Sequence, residues 1–224
     1  TDAHKALAER ATTEFYEYLK DLIALRERKP ANDLISTFVA ARQAGELNET
    51  ELISTCMLLL MAGHGSTIDV LGTGMWSLLN NPGQWQRLQN EPGLIHTAVQ
   101  EMFRFESPLP FFHRYAAKEI NILGKTYPKG SKFGLLYGSA NRDERQFSEP
   151  GEFDIERNPN KHLAFGRGAH LCLGNHLSRL DMEIIFLTLS RLTASIELLG
   201  EKPAFKKSLS VRGLQSLPIR LHAR

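Results

Sequence analysis

The sequence predicts a mainly α protein that carries small β-sheets at its periphery. Apolar residues recur at helical spacing through most of the first half, whereas short alternating runs appear only after Pro108. Hydrophobic residues make up 42% of the 224-residue chain and charged residues 23%, which is typical of an ordered globular protein. The formal net charge is +2 and no long basic run is present, so no nucleic-acid partner is expected.

The first two predicted helices each end at a residue that disfavours helix. Apolar spacing predicts a helix over residues 11–28, and Pro30 follows it. A second helix is predicted over residues 33–44, and Gly45 ends it. These two segments are therefore expected to form a pair of amphipathic helices joined by a short loop.

A long third helix is predicted to begin after Asn48 and to run to about residue 79. Asn48 and Glu51 have the spacing of a capping box, in which each side chain binds the other residue's backbone amide. The helix is apolar around much of its circumference, which predicts that it crosses the interior. Asn81 and Pro82 then have the pattern of a new helix start.

The remaining elements are one amphipathic helix, short strands and a helix near the C-terminus. Helices are predicted over residues 93–105 and 175–192, the latter with an apolar stripe formed by Leu177, Leu180, Ile184, Leu187 and Leu189. Residues 120–122 alternate and precede a glycine turn, which predicts a hairpin whose partner strand is residues 131–137. Further strands are predicted over residues 195–199 and 217–221.

The cysteine content indicates a reducing compartment. Cys56 and Cys172 cannot form a disulfide framework, and Cys56 lies in an apolar run that is typical of a buried core residue. That run, residues 56–62, is far shorter than a membrane span, and no leader-like segment begins at Thr1. A cytoplasmic protein without a membrane span is therefore expected.

The most informative segment is residues 165–174, which reads F-G-x-G-x-H-x-C-x-G and precedes the last predicted helix. Gly166, Gly168 and Gly174 permit backbone angles that other residues resist, so that amides can turn toward the sulfur of Cys172. The start of the following helix also favours an anion there. Both effects suit a cysteine thiolate that binds a metal ion, while a buried cysteine beside a glycine turn is the simpler alternative.

This segment resembles the heme-ligand loop of the cytochrome P-450 family of heme-thiolate monooxygenases. The resemblance implies the cytochrome P-450 fold and heme b (iron protoporphyrin), with Cys172 as the axial iron ligand. It also implies that His170 binds a heme propionate and that Phe165, Gly166 and Gly174 border the heme. Thiolate ligation favours cleavage of the O–O bond, which is the chemistry of such enzymes.

A second motif of the family is E-x-x-R, which Glu101 and Arg104 match. The two residues are three apart on a predicted helix and share one face. Without the resemblance, a solvated ion pair would be the expected interpretation. The resemblance implies instead a buried structural network that Arg157 completes and that fixes the irregular segment before the cysteine loop.

Residues 62–67 resemble the family's oxygen-binding helix. Ala62 and Gly63 match, and the resemblance implies that they border the oxygen site. Gly65 stands where the family has an acid, and Ser66 stands where it has threonine, followed by Thr67. Ser66 and Thr67 are therefore the candidates for relaying protons. Close packing against another helix is the alternative reason for glycines in a helix.

The missing acid leaves three alternatives for proton delivery. Water bound by His64, Ser66 or Thr67 can carry the protons. Asp69, about one turn beyond Gly65, can substitute for the acid. Otherwise the heme reacts with peroxide or performs chemistry other than oxygen insertion.

The resemblance also assigns residues around the heme and a partner surface. Arg114 matches the family's propionate-binding arginine, whose guanidinium suits a carboxylate. An apolar small-molecule substrate is expected, in a pocket lined by Leu109, Phe111, Phe112 and Leu214. No flavin or nicotinamide motif is present, so a ferredoxin- or flavodoxin-type electron donor is expected. A basic face formed by Arg167, His176 and Arg179 is one candidate for its docking site.

The resemblance covers residues 1–224 as a single partial heme-thiolate domain, the C-terminal half of a family member. Without the helices that precede this half, apolar surface is expected to be exposed and to favour oligomerisation. The expected activity is insertion of one oxygen atom from dioxygen into the substrate. The alternatives are a peroxide-driven heme-thiolate peroxygenase or isomerase, and a truncated heme-binding fragment without turnover.

Overall fold

The structure is a computed structural model that describes residues 2–224. The chain forms two compact units, Thr1–His64 and Gly65–Arg224. The expectation of a single domain therefore stays a prediction.

The first unit contains α1 (Asp2–Arg28), α2 (Leu34–Gln43) and the first half of α3 (Glu49–Asn80). Its core consists of Leu19, Ile23, Val39, Leu52, Ile53 and Cys56. The capping box at the start of α3 is present, since the side chains of Asn48 and Glu51 each accept from the other's amide at 2.9 Å. Burial raises the pKa of the Cys56 thiol, as expected of a core cysteine.

Helix α1 begins nine residues earlier than predicted, at Asp2 rather than residue 11. The added turns are exposed and have no apolar stripe, so periodicity could not find them. Exposed ion pairs at i,i+4 spacing, Lys5–Glu9 and Arg10–Glu14, join successive turns there.

The second unit is built around α5 (Ile95–Phe105), which packs against α7 (Asn175–Leu192). Helices α4 (Pro82–Asn90) and α6 (Tyr137–Ala140) complete its helical part, together with the rest of α3. Helices α3 and α5 pack closely at one point, because a Cβ on Gly74 would lie 3.0 Å from the sulfur of Met102. Its core centres on buried apolar residues of α3, α5 and α7.

Within residues 2–224, the strands form three two-stranded antiparallel sheets. They are β1 (Phe112–Tyr115) with β4 (Lys132–Leu135), β2 (Ile120–Ile122) with β3 (Lys125–Tyr127), and β5 (Thr193–Leu198) with β6 (Ile219–Ala223). The predicted pairing of residues 120–122 with residues 131–137 is therefore wrong. The turn at Leu123 and Gly124, both with positive φ, folds β2 directly onto β3, and β4 pairs with β1 instead.

The predicted stripe of α7 is also wrong in part. Met182 and Phe186 form its buried apolar face, whereas Leu177, Leu180 and Ile184 are exposed. Apolar residues occupy both sides of this helix, so spacing alone did not identify the side that faces the core.

Helix α3 is long and apolar enough to cross a membrane by length and composition alone. Core helices of globular proteins pass the same test, and both ends of α3 contribute to cores. Leu52 and Ile53 are buried in the first unit, and Val70 and Leu78 in the second.

Candidate metal-ligand site at Cys172

The segment that carries Cys172 is a tight loop that its own backbone closes. The Cys172 amide donates to the carbonyl of Phe165 at 3.0 Å, and the Leu171 amide donates to the carbonyl of Gly168 at 3.0 Å. Gly166 and Gly168 have φ values of +68° and +78°, in the left-handed region that favours glycine. Glycine at these two positions therefore permits the path of the loop.

Gly174 was also expected to need a backbone angle that other residues resist. Its φ is −81°, which any residue adopts, so that expectation is wrong. A Cβ added to Gly174 would meet no atom within 4 Å, so its surroundings are open. Helix α7 begins at the next residue, Asn175, as predicted. The free thiol of Cys172 is exposed three residues before that start.

The surroundings of Cys172 fit one axial ligand to the iron of a flat, largely apolar macrocycle. The neighbouring side chains Leu171 and Leu173 are 52% and 82% exposed, so apolar surface flanks the thiol. Across residues 2–224, no three His, Cys, Asp or Glu side chains form a group that could hold a metal ion. A cysteine thiolate is one of the protein ligands that heme iron accepts.

The two candidate propionate ligands are exposed. His170 ends a short 3-10 helix, Gly168–His170, within the cysteine loop. Arg114 lies on β1, where its guanidinium donates to the carbonyl of His113 at 2.9 Å. The guanidinium of Arg114 has further N–H groups that could bind a carboxylate.

Glu101, Arg104 and Arg157 come together in one buried ion-pair network. Arg104 binds Glu101 through two hydrogen bonds of 2.7 Å, and both side chains are fully buried. The Nε of Arg157 donates to the same carboxylate at 3.2 Å. The Asp154 amide and the Asn160 side chain also donate to it, each at 3.0 Å.

The two arginines use their other N–H groups to hold the irregular segment before the cysteine loop. Arg104 donates to the carbonyls of Asn141, Pro150 and Glu152. Arg157 donates to the carbonyl of Ser148 at 2.7 Å. These backbone carbonyls thereby accept hydrogen bonds from charged donors.

Sequence reasoning missed Asn141, which connects this segment to the loop. Its side chain is fully buried, donates to the hydroxyl of Ser107 at 2.8 Å and accepts from the Leu163 amide at 2.7 Å. A single asparagine in a polar run gives no signal in the sequence, because its partners lie more than 20 residues away.

The segment of α3 that resembles the oxygen-binding helix is continuous helix throughout residues 62–67. A Cβ on Gly63 or Gly65 would meet no atom within 4 Å, so close packing does not explain these glycines. Ala62 is exposed, and Ser66 and Thr67 are partly buried.

Asp69, the candidate substitute acid, is already engaged. Its carboxylate accepts from the ammonium of Lys206 at 2.6 Å, and the Asp69 side chain is only 3% exposed. Gly213 packs so closely that a Cβ there would clash with the Asp69 carboxylate. Asp69 is therefore already committed to a buried ion pair with Lys206.

The predicted pocket residues lie in different environments. Phe111 lines an open, mainly apolar cavity of about 440 Å³ together with Pro110, Leu136, Gly138, Ser139 and Leu209. Leu214 is buried against α3 beside Gly72, Leu109 is partly buried and Phe112 is exposed. Only Phe111 of the four predicted residues therefore lines this cavity.

The proposed basic face is smaller than expected. Arg167 and His176 are exposed, but the guanidinium of Arg179 turns inward and lies 4.4 Å from the ring centroid of Phe165. Burial lowers the pKa of Arg179. Arg179 thus serves internal contacts rather than a docking surface.

Comparison with known proteins identifies the family of this chain. The family model for cytochrome P450 matches residues 1–220. The biotin biosynthesis cytochrome P450 of Bacillus subtilis (strain 168) is 39% identical over 98% of the chain and 56% of its own length. The steroid C26-monooxygenase of Mycobacterium tuberculosis (strain CDC 1551 / Oshkosh) is 36% identical over 92% of the chain and 56% of its own length.

A solved structure shows the same fold. The cytochrome P450 enzyme CxnD, for C–S bond formation in chuangxinmycin biosynthesis, superposes with a TM-score of 0.90 at 40% identity, over 96% of this chain and 54% of that one. The chain thus spans about half the length of the relatives that it matches.

Proposed function

We propose that this chain, which belongs to the cytochrome P450 family, is the heme-binding part of a heme-thiolate monooxygenase. Members of the family bind heme b. The observation that carries the proposal is the exposed thiol of Cys172, on a closed loop that requires glycine at two positions and leads into α7. When bound, a heme-thiolate supplies activated oxygen for insertion into a C–H bond.

In this proposal the protein's own residues bind and orient the cofactor. Cys172 would ligate the heme iron, and the hydrogen bond from its amide to the carbonyl of Phe165 would keep the loop in place. His170 and Arg114 hold the two carboxylates from exposed positions. The buried network of Glu101, Arg104 and Arg157 acts at a distance, by fixing the segment that leads into the loop.

Ser66 and Thr67 hold and pass protons at the oxygen site, beside Ala62 and the open face of Gly63. Because Gly65 carries no carboxylate and Asp69 is bound to Lys206, protons reach this site through hydroxyl-bound water. The missing acid predicts that part of the electron supply is lost to peroxide and water rather than to product.

The substrate in this proposal is an apolar small molecule, and the electrons come from a ferredoxin- or flavodoxin-type protein. The mainly apolar cavity beside Phe111 supports the first statement. The second rests on the absence of a flavin or nicotinamide motif from the sequence. A cytoplasmic location stays a prediction, as do the roles of Leu109, Phe112 and Leu214 in the pocket.

One experiment separates this function from its alternatives. The chain is loaded with heme, a steroid and a fatty acid serve as apolar probes, and isotopically labelled dioxygen is supplied with ferredoxin and its reductase. A monooxygenase places one labelled oxygen atom in the product. Product formed only with added peroxide would identify a peroxygenase, and heme binding without any product would identify a non-catalytic fragment.

A further inference from the structure

A second polar network lies beside the Glu101 network and uses a different residue of α5. The side-chain oxygen of Gln100 accepts from the Nε of Arg179 at 3.2 Å. The same oxygen lies 3.0 Å from the Nε2 of His162. All three residues are partly buried. One amide oxygen therefore joins α7 to the segment just before the cysteine loop.

The contacts of His162 define its tautomer. Its Nδ1 accepts from the Ala164 amide at 3.2 Å, so the ring proton resides on Nε2 and is donated to Gln100. Burial lowers the pKa of His162 to about 4, with the charges of Arg179 and Arg104 acting in the same direction. The ring is neutral at neutral pH, and both of its nitrogens are satisfied.

The other side of the network reaches the backbone of Cys172. Arg179 donates from Nη1 to the side-chain oxygen of Asn175 at 2.6 Å. The Asn175 amide nitrogen donates to the carbonyl of Cys172 at 2.7 Å, and Asn175 is only 8% exposed. Since Arg179 binds the oxygen of this amide, the nitrogen must point toward Cys172.

We propose that Gln100 is a positioning residue that holds both ends of the cysteine loop through His162, Arg179 and Asn175. Through His162 it holds the segment that enters the loop, and through Arg179 and Asn175 it holds the carbonyl of Cys172. The Glu101 network cannot replace it, because the contacts of Glu101 lie at residues 104–160. The importance of this position for iron binding rests on the proposed function.

Amide hydrogen exchange of the heme-free chain tests the proposal directly. The Cys172 amide is protected by its bond to Phe165, so its exchange reports opening of the loop. Gln100→Leu removes the hydrogen bonds of the Gln100 side chain to His162 and Arg179. Asn175→Asp keeps an acceptor for Arg179 but removes the donor to Cys172. Each variant is expected to raise the hydrogen-exchange rate of the Cys172 amide about fivefold. This factor corresponds to the loss of one hydrogen bond of about 1 kcal/mol.

Two variants distinguish positioning from a general loss of stability. Gln100→Glu keeps an acceptor for both donors and is expected to exchange at Cys172 like the parent. Gln89→Leu removes a comparable partly buried hydrogen bond, to the carbonyl of Thr193 at 2.7 Å, away from the loop. The proposal would be overturned if the Cys172 amide exchanged at the parent's rate in Gln100→Leu and Asn175→Asp. It would also be overturned if Gln89→Leu raised this rate by the same factor.

A spectroscopic measurement on the heme-loaded chain extends the test. Gln100→Leu and Asn175→Asp are expected to lower the fraction of the reduced carbon-monoxide complex that shows thiolate ligation, while Gln89→Leu leaves it at the parent value. Equal fractions in all variants would contradict the proposal. A parent chain that forms no such complex would refute the proposed function, and hydrogen exchange would still decide the role of Gln100.

Discussion

At the scale of single residues, Arg104 has the largest expected effect on stability. It is fully buried, binds Glu101 through two hydrogen bonds and holds three backbone carbonyls. Removing one partner of a buried ion pair leaves the other charge without compensation. We therefore expect the site to depend on this buried network as well as on the cysteine loop.

Arg104→Ala is expected to lower the free energy of unfolding by about 3–5 kcal/mol and to abolish heme uptake. The control is Arg87→Ala, which breaks the partly exposed ion pair with Glu156 and should cost about 0–1 kcal/mol. Urea titrations and heme stoichiometry measure both effects. A stable Arg104→Ala chain with a full complement of heme would contradict this interpretation.

His162 leads to a second prediction at this scale, which concerns how the stability of the chain changes at acidic pH. The pKa of His162 is lowered to about 4 in the folded chain and is about 6.5 in the unfolded chain. As the pH falls, His162 is therefore protonated in the unfolded chain before it is protonated in the folded chain. The stability that neutral His162 provides is complete above about pH 6.5 and is lost as the pH falls toward 4, by a total of about 3 kcal/mol.

His162→Gln removes this titration, so its unfolding free energy should decrease less than the parent's between pH 7 and 4. His176→Gln, at an exposed position, serves as the control and should follow the parent. Urea titrations at a series of pH values measure the difference. Parallel curves for the parent and His162→Gln would show that His162 is not responsible.

At the scale of elements, local signals predicted most helix boundaries. The start of α3 follows from its capping box, and α7 has the predicted bounds of residues 175–192. Strand pairing was predicted less well, because residues 131–137 were assigned to the wrong partner. The links made by Asn141, Gln100 and Asn175 could not be predicted, since each depends on partners that only the folded chain brings together.

The glycines of α3 provide an element-scale prediction. Gly65→Ala places a methyl group in open space and should raise the free energy of unfolding of the heme-free chain by up to about 1 kcal/mol. Gly74→Ala places it 3.0 Å from the sulfur of the fully buried Met102 and should instead lower it, by about 1–3 kcal/mol. If urea titrations gave the same change in the free energy of unfolding for Gly65→Ala and Gly74→Ala, the packing assigned to Gly74 would be wrong.

At the scale of the whole molecule, exposed apolar surface is the feature that most affects behaviour in solution. On α7, Leu177, Leu180 and Ile184 are 64%, 50% and 55% exposed, and Leu173 precedes them at 82%. Exposed apolar side chains in such number favour association. The chain also spans about half the length of the relatives that it matches.

The chain is therefore expected to self-associate with rising concentration. Replacing Leu177 and Ile184 by glutamine should reduce the average mass measured by sedimentation, while Arg191→Gln, at an exposed polar position, should not. A chain that is monomeric at all concentrations, or a double variant that associates like the parent, would contradict this expectation.

In the proposed function, the thiolate of Cys172 binds heme iron. The most direct test is the reduced carbon-monoxide difference spectrum of the heme-loaded chain and of Cys172→Ser. The parent is expected to give the band of a thiolate-ligated complex and the variant to lack it. A parent spectrum without that band, or an identical spectrum from Cys172→Ser, would contradict the claim.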